Sequence, residues 1–318
     1  MIAPAGTTPH HDRGQHPEPD GSSTSPGSGH LVGRRLDDDN GDRGSSLGSA
    51  PVTEAQNPDE GWITVGPGPI HFCFHRAVPG SPAAGVPPLV FLHEGLGSIG
   101  LWRSFPDDVR RALGGPTTLV YSRHGYGRSV VMTEPRTVGY MHDEALDVLP
   151  AVLAHFGLDG PVLVGHSDGA SIAIIHAGAG HRVAGLVLLA PHVFVEPCTI
   201  DSIAEARTAF ATTDLPIRLS RHHDNPVATF RGWNDVWLSP DFRSWNIESF
   251  LPGITAPTLL IQGDRDQYGT LAQLDAIERS VRGQTARYVV EAAAHPPHVE
   301  APRPTVEAVA RFVGRLRP

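Results

Sequence analysis

The chain contains no lysine, and all 25 of its basic residues are arginine. This absence excludes chemistry that needs a side-chain amine, such as a Schiff base or a phosphate-binding P-loop lysine. Cysteine is nearly absent as well. Cys73 and Cys198 lie far apart and form no CxxC or zinc spacing, so a reduced compartment is the simple reading, with a pairing of the two left open. No run of about 18 apolar residues occurs, so no spanning helix is expected. The first residues also lack the apolar stretch of a secretory signal. A cytoplasmic protein without a membrane partner is the expectation. Positive charge is scarce: the formal net charge is -9, which argues against a nucleic-acid partner held through its phosphates.

What is present divides the chain. Residues 1–57 are dense in Gly, Ser, Pro and Asp, as in GSSTSPGSG and RRLDDDNGDRGSS. Such a segment buries too little apolar surface to offset its ordering entropy, so a disordered tail is expected. The remainder, 58–318, reads as one domain. Short apolar runs at 87–93, 117–122, 161–166, 183–191, 256–263 and 286–292 read as strands, preceded by ITV and IHFCFHR around the turn GPGP. Helical stretches at 104–114, 138–156, 167–179, 270–282 and 303–316 alternate with them. That alternation implies an α/β fold with a mainly parallel sheet covered on both faces. The interval at about 192–250 breaks the rhythm and is rich in Trp and Phe, which reads as a mostly helical cap inserted between strands.

GHSDG at 165–169 matches G-x-S-x-G between an apolar strand and a Gly/Ala-rich helix. In that context the serine occupies a sharp turn that lifts its hydroxyl above the sheet, and the glycines permit close helix–strand approach. The next N–H, that of Asp168, sits at a helix N-terminus and suits a developing oxyanion.

With this motif the chain resembles the α/β-hydrolase superfamily over about residues 62–318, in particular its cap-containing esterases and ring-cleavage-product hydrolases. The resemblance implies an eight-stranded sheet and a triad in the order Ser, acid, His. IQGDRDQYG (261–269) resembles the superfamily's strand-end G-x-x-D, placing the acid at Asp266 with Asp264 as the alternative. AAAHPPHVEAP (292–302) resembles G-H-x-x-x-x-E-x-P with Ala294 for the usual glycine, which selects His295 as the base and leaves His298 as a pocket-wall or hydrogen-bonding residue. FLHEGLGS (91–98) resembles the oxyanion loop. Aligned on its glycines, it puts Glu94 where a His is usual and Leu96 as the second amide donor, and His93 offers an alignment one residue out of phase. SRHGYGRS (122–129) resembles D-x-R-G-x-G-x-S, with Ser122 and His124 as departures.

The resemblance implies a serine hydrolase acting on a small carboxylic ester or thioester through Ser167, with no cofactor and no metal. Carbon–carbon hydrolysis of ring-cleavage products, enol-lactone hydrolysis and cofactor-free perhydrolysis use the same residues, and a non-catalytic ligand-binding member of the fold is a further alternative. Trp233 and Trp237 of the cap and Glu94 are the candidate substrate contacts. HHD (222–224) is not read as a metal site, because adjacent histidines on a helix point apart. The arginines of the cap could read a carboxylate, but each singly suits a solvated surface. A carboxylate beside an oxyanion hole needs compensation. Arg123, on the loop after the adjacent strand, is the expected partner of Glu94. A solvent-facing Glu94 and a protonated one facing substrate are the alternatives.

Overall fold

The computed structural model describes residues 58–77, 80–83 and 85–316. The expected disordered tail, 1–57, lies outside them. Eight strands form one sheet: β1 (Asp59–Val65), β2 (Gly68–His75), β3 (Leu89–Leu92), β4 (Thr118–Tyr121), β5 (Val162–His166), β6 (Gly185–Leu189), β7 (Thr258–Gly263) and β8 (Thr285–Val290). Their order is β1-β2-β4-β3-β5-β6-β7-β8. The β1–β2 hairpin is antiparallel, β2 runs antiparallel to β4, and every later pairing is parallel.

Parallel neighbours need crossovers, and the crossovers supply the covering helices. These are α1 (Phe105–Ala112), α2 (Tyr140–Asp143), α3 (Leu149–Phe156) and α4 (Asp168–Gly178). A π-helical turn, Glu144–Val148, joins α2 to α3. The segment between β6 and β7 carries α5 (Pro197–Thr212), α6 (Leu215–Leu219) and α7 (Pro226–Trp237), followed by two 3-10 turns. Then come α8 (Ala272–Ser280), α9 (Pro297–Glu300) and α10 (Pro302–Val313).

The central strands are buried on both faces, so side-chain alternation sorts them into two cores. Val90 and Leu92 of β3 join Ile172 and Ile175 of α4, Val152 of α3 and Leu274 of α8. Leu89 and Phe91 face the other way, against Phe105 and Val109 of α1 and Val309 and Val313 of α10. The first core runs on into the cap through Phe230, Trp237, Phe242 and Trp245. Phe242 and Trp245 stack with ring centroids 5.3 Å apart, so most cap aromatics serve packing. Both cysteines are free thiols. No helix among the described residues is long and apolar enough to cross a membrane.

Candidate active site

The parallel strands β3 to β8 end on one side, and the loops after them bring the chemistry together. At the end of β5 the chain turns through Ser167 with φ 53° and ψ -118°. A non-glycine residue at positive φ costs roughly 1–3 kcal/mol, and here the surroundings impose it. The glycine on its far side shows why. A Cβ at Gly169 would lie 1.9 Å from the Leu92 carbonyl oxygen, so α4 starts flush against β3. Gly165 is equally constrained, since a Cβ there would lie 2.4 Å from the Gly169 carbonyl oxygen.

Ser167 and His295 line one cavity of about 100 Å³, together with Glu94, Leu96, Asp168, His192, Trp233 and Trp237. His295 Nδ1–H donates to the Asp266 carboxylate, at 2.8 Å from one oxygen and 2.9 Å from the other. Asp266 also accepts from the Tyr268 N–H at 2.9 Å and from Gln262 Nε2 at 3.2 Å. Burial pushes its carboxyl pKa up, but His295 and the Tyr268 N–H outweigh that and hold it below the usual value. Asp264, two residues earlier, is exposed. Ser167 and His295 thus share one cavity, Asp266 holds the His295 ring, and Asp264 stands apart.

The loop after β3 forms a turn in which Gly97 N–H donates to the Glu94 carbonyl at 3.0 Å. The amides of Gly95 and Leu96 inside that turn meet no acceptor among the described residues. The Asp168 N–H opens α4 and has no intrahelical partner by position. Backbone donors thus lie unpaired on both sides of the cavity. Trp233 presses on the loop, so closely that a Cβ at Gly95 would come within 2.2 Å of its indole nitrogen.

Arg123, fully buried, ties these two sides together. Its Nη2 donates to the carbonyls of Glu94 at 2.9 Å and His93 at 3.3 Å, and stands 3.6 Å from Asp168 Oδ2. The expected Glu94–Arg123 side-chain pair is therefore corrected. The loops do meet, but the guanidinium is committed to backbone carbonyls and to Asp168. The Glu94 carboxylate turns instead to His166 Nδ1 at 3.3 Å. Burial alone would raise the Glu94 pKa, and the hydrogen bond to His166 with the imidazoles of His166, His93 and His298 more than reverses it, holding the carboxyl well below its usual range. His93 takes the inward role on this loop: its Nδ1–H donates to the Glu94 carbonyl at 2.8 Å and its Nε2 accepts the Arg123 N–H at 3.0 Å.

His298 does not line the cavity, contrary to expectation. It sits on the short helix α9, which turns the ring inward against Trp102 at 5.0 Å, Phe105 at 5.2 Å and His166 at 4.8 Å. Trp237 lines the cavity and is also part of a buried hydrogen-bond chain. Its Nε1–H donates to Tyr140 Oη at 3.0 Å, and the Tyr140 hydroxyl donates to Asp168 Oδ2 at 2.6 Å. The cap arginines Arg207, Arg218, Arg221, Arg231 and Arg243 do not line the cavity; Arg207, for example, binds Asn234 and Asp235. Among the described residues no group of three or more His, Cys, Asp or Glu could hold a metal ion.

A family model described as the alpha/beta hydrolase family matches residues 89–308. The chain belongs to that family. The chain is 29% identical over 156 residues to the N-formylmaleamate deformylase of Pseudomonas putida, a match spanning 44% of this chain and 58% of that protein. Its fold is similar to that of an esterase from Thermogutta terrifontis, with TM-score 0.60 and 21% identity over 82% of this chain and 100% of that one. It is also similar to that of the enol-lactonase from Burkholderia xenovorans, with TM-score 0.62 and 16% identity over 80% of this chain and 100% of that one. Both of these likenesses concern the fold alone.

Several residues of the candidate site escaped sequence reasoning. His223, in the HHD run set aside as a metal site, accepts the Gly127 N–H at Nδ1 (2.9 Å) and donates from Nε2 to the Leu96 carbonyl (2.9 Å). The ring is thereby fixed as the neutral Nε2–H tautomer and orients the Leu96 peptide. Burial pushes its pKa down, in keeping with that state. Tyr140 and His192 carry no sequence signal, since their neighbours come from distant segments. His166 did carry one: it stands beside the serine in GHSDG.

Proposed function

We propose that this hydrolase cleaves a small carboxylic ester or thioester through an acyl-enzyme on Ser167, without cofactor or metal. The observation that carries the reading is the convergence of Ser167, the Asp266-bound His295 and the unpaired amides on one cavity. His295 Nε2 takes the hydroxyl proton as Ser167 Oγ attacks the carbonyl carbon, then passes it to the leaving oxygen or sulfur. Asp266 keeps the ring in the Nδ1–H tautomer and stabilises the imidazolium. The Leu96 and Asp168 amides receive the oxyanion. Water then attacks the acyl carbon, His295 again taking and returning the proton, and the acid leaves. Trp233, Trp237 and Glu94 wall the substrate. The cavity is smaller than the roughly 150 Å³ that houses benzene in a protein interior, which suits a short acyl group.

A second reading, hydrolysis of an acyl carbon–nitrogen bond, is favoured by the deformylase relative. It uses the same steps with an amine leaving. The test is labelling by a fluorophosphonate probe together with turnover of p-nitrophenyl acetate and of an N-formyl amide. Labelling and turnover should both vanish in Ser167→Ala with the melting temperature unchanged. Near-normal hydrolysis by that variant would refute the mechanism, and the ester-to-amide ratio decides between the readings.

A further inference from the structure

One carboxylate in the cavity has no part in the proposed chemistry. The Glu94 side chain is 24% exposed, and it lines the cavity beside Ser167. Gly97 makes its conformation possible: a Cβ there would lie 2.5 Å from Glu94 Oε2 and 2.7 Å from Cδ, so only glycine lets the side chain fold back over the turn.

The two carboxylate oxygens have different surroundings. Oε2 faces His166 Nδ1, while His166 Nε2 faces the His295 carbonyl at 3.1 Å. A carbonyl only accepts, so Nε2 bears hydrogen, and the contact at Nδ1 needs a second proton shared with the carboxylate. Oε2 is thus occupied by the ring. Oε1 meets no donor among the described residues, so this cavity-lining residue keeps one acceptor oxygen unpaired.

Apart from the backbone amides assigned to the oxyanion and the His295 ring, the other walls carry no cationic group among the described residues. Leu96, Ile203, Trp233 and Trp237 are apolar or weakly polar, and no arginine is among the described residues lining the cavity. His192 is pushed down to about 3 by burial and by neighbouring His295, so it is neutral. Arg123 lies behind the loop, fully buried and engaged with two carbonyls and Asp168.

We propose that Glu94 Oε1 reads a hydrogen-bond donor next to the scissile carbonyl, so that the enzyme takes small acyl substrates bearing a hydroxyl, an amide N–H or an ammonium and rejects those bearing a carboxylate. The inference rests on the Ser167 chemistry proposed above. A donor matched to an ionised acceptor in a partly buried site changes binding by roughly 10- to 100-fold, and a carboxylate placed there meets like charge instead.

The test uses the full chain and Glu94→Gln, with p-nitrophenyl acetate, p-nitrophenyl glycolate and mono-p-nitrophenyl malonate, each rate divided by that ester's own hydroxide rate. Ratios within one variant do not depend on how much of it is folded. In the unmodified enzyme the glycolate should exceed the acetate by about tenfold in kcat/KM and the malonate should fall below it by at least about tenfold. Glu94→Gln should shrink the malonate deficit several-fold. A malonate-to-acetate ratio unchanged by Glu94→Gln, or a malonate faster than the acetate, overturns the proposal. A second arm is independent of turnover: binding of glycolamide and malonamate to Ser167→Ala, with and without Glu94→Gln. If no ester is cleaved but glycolamide binds at least about tenfold more tightly and Glu94→Gln abolishes the preference, the chemistry fails and the Glu94 assignment stands. Equal binding of the two amides overturns the assignment.

Discussion

Replacing Tyr140 by Phe removes one oxygen atom and should loosen the connection between cap and nucleophile turn. The hydroxyl accepts from Trp237 Nε1 at 3.0 Å and donates to Asp168 Oδ2 at 2.6 Å, and all three residues are buried. Without it, Asp168 loses a short bond to its charged oxygen, worth roughly 1.5–3 kcal/mol. Trp237 Nε1–H is left buried without an acceptor, at a further cost of roughly 1–3 kcal/mol. Asp168 Oδ1 has no partner among the described residues, so it cannot take over the load. A loss of about 3–5 kcal/mol is expected, or a fall in melting temperature of about 10 °C for a domain of this size. Because Asp168 also presents an amide to the cavity, kcat should fall more than KM rises. Calorimetric melting of Tyr140→Phe, Trp237→Phe and the double variant isolates the chain from simple loss of ring volume. The two changes should couple by about 1 kcal/mol or more, since the second removes a bond already broken. Strict additivity, or a Tyr140→Phe protein that melts within about 2 °C of the unmodified one, would refute the chain. The same geometry ties Trp237, a candidate substrate contact, through Tyr140 to Asp168.

Gly169→Ala should cost at least about 4 kcal/mol in chemical denaturation, because its Cβ would meet the Leu92 carbonyl at 1.9 Å; a mild loss would mean that α4 can move off β3. Asp266→Asn should lower kcat/KM by about a thousandfold or more while Asp264→Asn stays within about threefold, since only Asp266 touches His295, and the reverse ranking would move the acid. Stability should fall with acid between pH 7 and pH 5. Burial, then neighbouring imidazoles, hold His192 and His298 at about 3 against an ordinary 6.5, so the unfolded chain binds protons that the folded one refuses once the pH drops below about 6.5. At pH 5 the difference is about 2 kcal/mol for each ring, read as a shift of the urea midpoint. A midpoint unchanged between these pH values would mean that the rings are hydrated or already protonated in the folded state.

The parts of the molecule legible in the amino-acid order are those set by local rules. Apolar runs bounded by turn residues marked β3 to β7, because a strand buried on both faces needs no alternation. GHSDG marked the sharp strand-to-helix turn, because a positive φ at Ser167 and the approach of Gly169 to β3 demand those residue types in that spacing. Asp266 and His295 were legible because each follows a strand end at a characteristic interval, and their pairing needs only that β7 and β8 be neighbours. Tertiary structure alone decided which partner each charge found. Glu94 had two cationic candidates within reach, Arg123 by loop adjacency and His166 beside the nucleophile. The guanidinium points at backbone carbonyls behind the loop, and the imidazole points at the carboxylate. Likewise the inward turn of α9 took His298 away from the cavity, and the cap brought His223 to the Leu96 peptide across 127 residues. Charge, size and spacing allow several such pairs. Side-chain direction selects among them, and that direction is set by packing between segments remote in sequence.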